Sequence, residues 1–141
     1  MREIKFRAWD KEKQFMFIPT QIELEQGENL GKWDSWRPMA WRDELPEEGS
    51  GGIGRTLGDE CELMQYTDLK DKNGKEIYEG DILQFNTDAP GVVDWFRGSW
   101  RVKTPPNYNG DDWRTSLWDA TVDGYEIIGN IHENPELLKT K

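Results

Sequence analysis

One cysteine, one histidine and no long apolar run limit what this chain can be. Cys61 alone cannot form an intramolecular disulfide or supply a cysteine-rich zinc knuckle, which fits a reducing compartment. His132 alone provides neither the repeated His/Cys spacing of structural zinc nor an H-E-x-x-H helix. No stretch approaches the roughly 20 apolar residues that a membrane-spanning helix needs. Residues 1–7 carry positive charge with no apolar segment behind them, so neither a membrane anchor nor a secretory leader is expected. Positive charge is scarce too. Eighteen Lys and Arg stand against 28 Asp and Glu, a net charge of -10 and a pI near 4.6. Residues 1–70 and 71–141 have the same net charge, so no basic tail is hidden in the total. Generic binding to double-stranded DNA is disfavoured, because it needs a concentrated cationic surface.

Large rings are plentiful. Eight Trp, five Phe and four Tyr in 141 residues exceed what a disordered chain carries, although mean hydropathy is -0.92. The expectation is one acidic globular domain spanning 1–141. Residues 2–9 alternate, with Ile4, Phe6 and Ala8 on one side and Lys5, Arg7 and Trp9 on the other. A polar turn over 10–13 then leads to a short apolar strand over 14–18, which predicts a hairpin. Ile22 and Leu24 suggest another short strand. Residues 44–55 contain little to bury and are predicted to be a flexible loop.

From Cys61 the pattern sharpens. Residues 61–67 read as a strand, and Asn73-Gly74 supplies a tight turn. Strands are predicted over 82–85, 91–96 and 100–103, the second stopping at Arg97-Gly98 and the third at Pro105-Pro106. Residues 115–119 are expected to return to the sheet. Asp123-Gly124 marks another turn before a strand over 125–131, whose alternation breaks at Ile127-Ile128. A single helical turn is expected at Pro135. Many short strands and no long amphipathic helix predict a mainly β fold: a small curled sheet forming a barrel or roll, with an irregular N-terminal half.

Three blocks carry a resemblance. They are Arg2-Glu3-Ile4-Lys5-Phe6-Arg7-Ala8-Trp9-Asp10, the run from Leu63-Met64-Gln65-Tyr66-Thr67 through Asp71-Lys72-Asn73-Gly74 to Glu79-Gly80-Asp81-Ile82, and Ile127-Ile128-Gly129-Asn130-Ile131-His132-Glu133-Asn134-Pro135-Glu136-Leu137-Leu138. In this order and spacing the chain resembles the YopX family of small phage and prophage proteins. Asp68 stands where the family usually places Gly, a difference that bears on turn geometry. The resemblance implies an SH3-like barrel or roll in the C-terminal part and a protein acting in the bacterial cytoplasm. It implies no catalytic residues.

The residues themselves offer few chemical constellations. Glu79-Gly80-Asp81 places two carboxylates at a turn, too few oxygens for a calcium loop, and reads as a structural turn with Gly80 at its centre. The run from Gly49 to Arg55 lacks the Lys-Ser/Thr ending of a phosphate-binding loop. Cys61 lies between Glu60 and Glu62, which disfavour a thiolate. No cofactor is expected. The candidate interaction face is the aromatic and basic group Trp95, Arg97, Trp100, Arg101, Lys103, Tyr108, Trp113 and Arg114. Such a group suits a protein segment or single-stranded nucleic acid, and core packing is the competing role for its rings. The leading expectation is a non-enzymatic accessory protein acting through a host or phage protein partner. Single-stranded nucleic-acid binding and a metal-assisted hydrolase are the alternatives, and the sequence leaves self-association open.

The Asn73-Gly74 turn predicts a positive φ at Gly74 and an exposed turn tip. Gly74→Val should therefore lower the urea midpoint more than Lys72→Ala does. A Gly74→Val protein with parental midpoint and slope would reject the turn.

Overall fold

The computed structural model describes residues 2–24, 27–28, 35–105 and 114–139. Backbone contacts divide the chain into two compact units. The smaller is Phe6–Met64, and the larger joins Met1–Lys5 to Gln65–Lys141.

In the smaller unit, β1 (Phe6–Asp10) pairs antiparallel with β2 (Phe15–Phe17), Ala8 facing Phe17. This is the predicted hairpin, but its strand begins later than the alternation suggests, and Ile4 is 64 % exposed. Strand β3 (Gln21–Glu23) follows, then a two-stranded ladder of β4 (Gly27–Glu28) and β5 (Ser35–Trp36). Strand β6 (Met39–Arg42) runs antiparallel to both β3 and β7 (Ile53–Thr56). Within the expected 44–55 loop, Pro46–Glu48 form a 3-10 turn and residues from Ile53 onward already belong to β7. Ala8, Phe17, Ala40 and Cys61 form the apolar core, with Phe15, Leu57 and Leu63 against it.

A buried ionic cluster lies in the same unit. Asp10, expected in a polar turn, is fully buried. Its Oδ1 accepts the Glu12 and Lys13 N–H groups at 3.0 Å, while Oδ2 accepts Arg42 Nε at 3.0 Å and Arg55 Nε at 3.1 Å. Arg42 grips Glu48 through both terminal nitrogens, at 2.7 and 2.8 Å, and Glu48 also accepts the Leu45 N–H. Burial pushes the Asp10 carboxyl upward, but the Lys13 N–H and the two guanidinium groups outweigh it and hold it below its ordinary range. Pairing with Arg42 and the Leu45 N–H lowers Glu48 to about 2.

In the larger unit, the remainder of β8 (Cys61–Lys70) pairs with β9 (Glu76–Tyr78) through a bulge between Tyr66 and Lys70. Asp68 sits in that bulge at φ 67°. Its backbone thus adopts the conformation for which glycine is best suited, and Asp is among the few side chains that tolerate it. Gly74 has φ 81° and is exposed, as the Asn73-Gly74 pair predicts. The Gly74 N–H bonds the Asp71 carbonyl at 3.0 Å. The Asp71 carboxylate accepts the Asn73 and Lys75 N–H groups at one oxygen and the Ile127 N–H at the other.

Strands β10 (Asp81–Gln84), β11 (Gly91–Phe96), β12 (Ser99–Lys103), β13 (Arg114–Ser116) and β14 (Glu126–Asn130) form a curled antiparallel sheet in the order β13-β12-β11-β10-β14. Its end strands do not pair with each other, so the expected barrel-like roll is an open half-barrel. The alternation break at Ile127-Ile128 is a bulge: Ile82 faces Gly129 and Leu83 faces Ile127, which leaves Ile128 extra. Asn134 Oδ1 accepts the Asn130 N–H at 3.2 Å. The last residues of the expected 115–119 strand are instead the start of the helix α1 (Leu117–Asp123). Ser116 Oγ caps it by accepting the Asp119 N–H, and left-handed Gly124 ends it, short-range signals that outweigh strand propensity. Leu117 and Ala120 from this helix join Ile77, Leu83, Val93 and Val102 in the core. Pro135–Leu138 form the predicted helical turn.

Arg42→Ala would remove the guanidinium that joins Asp10 to Glu48 and leave Arg55 as the cation beside them. For the buried Arg42–Asp10 pair such a loss costs about 3–5 kcal/mol. Both carboxyls titrate below their ordinary range when folded, so this stabilisation is present above their ordinary values and fades as pH falls through the lowered ones, which for Glu48 is about 2. Urea unfolding of parent and variant should therefore converge on acidification. A gap independent of pH would exclude the ionic contribution.

Candidate binding cleft

The sequence makes β11 and β12 a long two-stranded arm. Arg97 and Gly98, at φ 50° and 84°, form a two-residue loop with both central residues left-handed, the turn whose twist matches the flanking strands. Register then fixes the side chains. Val93 faces Val102 in the core, and one step outward on the same face Trp95 faces Trp100. The two rings meet at 4.9 Å with an interplanar angle of 72°. Trp100 packs against the core, whereas Trp95 is 52 % exposed. Their joint role as core rings therefore holds for only one of the pair.

Asp94, Phe96, Arg101 and Lys103 occupy the opposite face of the arm. Arg101 binds Asp94 with two hydrogen bonds, at 2.7 and 3.0 Å, and its guanidinium stacks 3.8 Å from the centre of the Phe96 ring. Arg97 lies 5.1 Å from that ring. Arg114 on β13 pairs with Lys103 and is exposed. The expected aromatic and basic group is thus split by strand alternation. Trp95 and Trp100 share one face, while Arg101, Lys103 and Arg114 share the other. Tyr108 and Trp113 lie outside the described residues.

Trp95 and Trp100 line an open cleft of about 490 Å³ together with Arg2, Gln65 and Glu79, all from the larger unit. The N-terminal segment is held beside β8 by the Tyr66 N–H to the Lys5 carbonyl at 2.8 Å and to β9 by the Lys5–Glu76 ion pair, and Lys5 also pairs with Glu3 of its own segment. These pairs raise the Lys5 ammonium above its ordinary range, the Glu76 bond most of all. The Glu79 N–H bonds the Gln65 carbonyl at 2.9 Å. Gly80 turns the chain at φ 87°, with its N–H on the Val93 carbonyl. Glu79 and Asp81 therefore do not act as a pair. Asp81 is buried and accepts the Tyr78 N–H at 2.7 Å, while Glu79 lines the cleft. The cleft offers one carboxylate, one amide, one guanidinium and two indoles, groups suited to recognising a charged or apolar side chain. Arg2, Gln65 and Glu79 were not singled out with the tryptophans, because only tertiary pairing brings them together.

The other reactive residues have structural partners. Cys61 is buried, and burial, with Asp10, Glu62 and Glu60 nearby, pushes its thiol up to about 11. Arg55, at the end of the glycine-rich run, is engaged by Asp10. The His132 N–H bonds Asn130 Oδ1 within the turn that follows β14. Among the described residues no group of three His, Cys, Asp or Glu could hold a metal ion, and no helix is long and apolar enough to cross a membrane.

A family model described as YopX protein matches residues 5–139. Protein EF1440 from Enterococcus faecalis is 25 % identical with a TM-score of 0.52, the match covering 99 % of this chain and 100 % of that one. Protein yopX from Bacillus subtilis is 20 % identical with a TM-score of 0.53, covering 100 % and 99 %, a likeness of fold alone. No curated protein matches this chain.

The arm's turn yields a local test. Arg97→Asn should hold or raise stability, because Asn tolerates positive φ, whereas Gly98→Ala should cost about 1 kcal/mol. Urea midpoints in the reverse order would exclude this turn type.

Proposed function

The chain belongs to the YopX family, and from that premise we propose that it is a non-enzymatic protein-interaction module in the bacterial cytoplasm, serving a phage or prophage. Its contact surface is the Trp95–Trp100 cleft at the end of the β11–β12 arm. The observation that carries this reading is the exposure of a large ring in that cleft, Trp95 at 52 %. A half-exposed indole held by a cross-strand ring and a tight turn loses little side-chain freedom on binding, as an interface anchor requires. Single-stranded nucleic acid is the weaker reading. Arg101, the cation closest to an exposed ring, is already engaged by Asp94, and the chain carries a net charge of -10.

Affinity capture from phage-infected cells with the parent and with Trp95→Ala decides between them. The expected result is a reproducible protein partner that Trp95→Ala loses while its urea unfolding stays cooperative. A partner set indifferent to Trp95, or fluorescence anisotropy showing tight low-salt binding of single-stranded DNA or RNA instead, would overturn the reading.

A further inference from the structure

We propose that the cleft receives a cationic side chain, lysine or arginine, from a partner's peptide segment. This rests on the protein-contact reading and names the chemistry that the cleft selects. Two indoles meeting at 72° make two walls close to a right angle, and Trp95 leaves much of its surface open to a ligand. An indole face is the strongest aromatic partner for a cation, through the negative potential above the ring. Glu79 lines the same cleft and supplies a formal negative charge. Its backbone is held by the bond to Gln65 and by the adjoining Gly80–Val93 bond.

Three further observations favour a cation over an anion or a neutral group. On the other face of the same arm, the Phe96 ring already takes the Arg101 guanidinium at 3.8 Å, an internal example of the contact proposed for Trp95. The larger unit carries 15 acidic and 11 basic side chains, so its net field attracts positive charge. A cleft of about 490 Å³ accommodates an arginine or lysine side chain together with its methylene stem, which packs on indole while the charged head meets the carboxylate. Arg2 is the one lining group of the wrong sign, and its removal should tighten binding.

The probe is N-acetyl-trimethyllysine amide, permanently charged and unable to donate a hydrogen bond from its head group. Its control is the uncharged tert-butyl analogue of the same shape. Titration followed by the indole N–H signals of the intact protein should give saturable shifts of Trp95 and Trp100, with the neutral analogue roughly tenfold weaker. Glu79→Gln should weaken the charged probe several-fold, and Arg2→Ala should strengthen it. Trp95→Leu, which keeps an apolar side chain but removes the ring, should abolish the preference for charge. Equal affinity for the two probes, or no saturable shift with the charged one, would overturn the proposal. A cellular partner lost with Trp95→Ala but retained by Glu79→Gln would overturn the cation assignment while leaving the protein-contact reading intact.

Discussion

Backbone N–H groups at the ends of short strands are the constraint on which both units are built. A chain whose strands, β8 apart, are two to six residues long must turn often, and turns leave donors with no ladder partner. Here buried acids and amides join backbone carbonyls in answering that demand. Asp10 accepts two turn N–H groups before it meets any guanidinium, Asp71 accepts three, and Asp81 accepts one. Asn130 Oδ1 accepts the His132 and Glu133 N–H groups, and its own N–H goes to Asn134. The same bonds explain why the Asp71 carboxyl ionises more readily than usual despite burial: burial pushes it up, and the N–H groups of Ile127, Lys75 and Asn73 outweigh that.

This accounts for what the family resemblance conveys. The residues that carry it include Thr67, Asp71, Gly74, Gly80, Asp81, Asn130 and Asn134, and each shapes or satisfies a turn. Thr67 Oγ, for instance, bonds the Ile77 carbonyl at 2.8 Å inside the β8–β9 pair. A signature written in turn chemistry specifies architecture. Of the cleft lining, Arg2, Gln65 and Glu79 lie in the blocks that carry the resemblance, whereas Trp95 and Trp100 lie between them.

Legibility followed interaction range. Asn73-Gly74, the Arg97-Gly98 stop, the Ile127-Ile128 irregularity and the Pro135 turn are decided by one to four neighbouring residues, and all were readable. The positive φ at Asp68 was foreshadowed by a departure from the family's glycine. The Asp10–Arg42–Glu48–Arg55 cluster was not readable, since its members are up to 45 residues apart and each looks like an ordinary surface charge in sequence. The cleft was half readable. Two tryptophans stood out, but alternation sends their basic neighbours to the opposite face, and the polar lining comes from three other segments. The helix at Leu117 was missed because its cap at Ser116 and its end at Gly124 leave only seven helical residues.

Strand β14 ends the five-stranded sheet, and its outward N–H groups at Ile127 and Asn130 are taken by the Asp71 carboxylate and the Asn134 amide. Gly129 makes room for that amide, since a Cβ there would lie 2.5 Å from Asn134 Oδ1. An exposed edge with free donors is a template for a neighbouring molecule's strand and a route to polymerisation. On this edge the template is already occupied by side chains from the same chain. An incoming strand would have to displace both side chains to reach those donors, which disfavours strand addition to the half-barrel from that side.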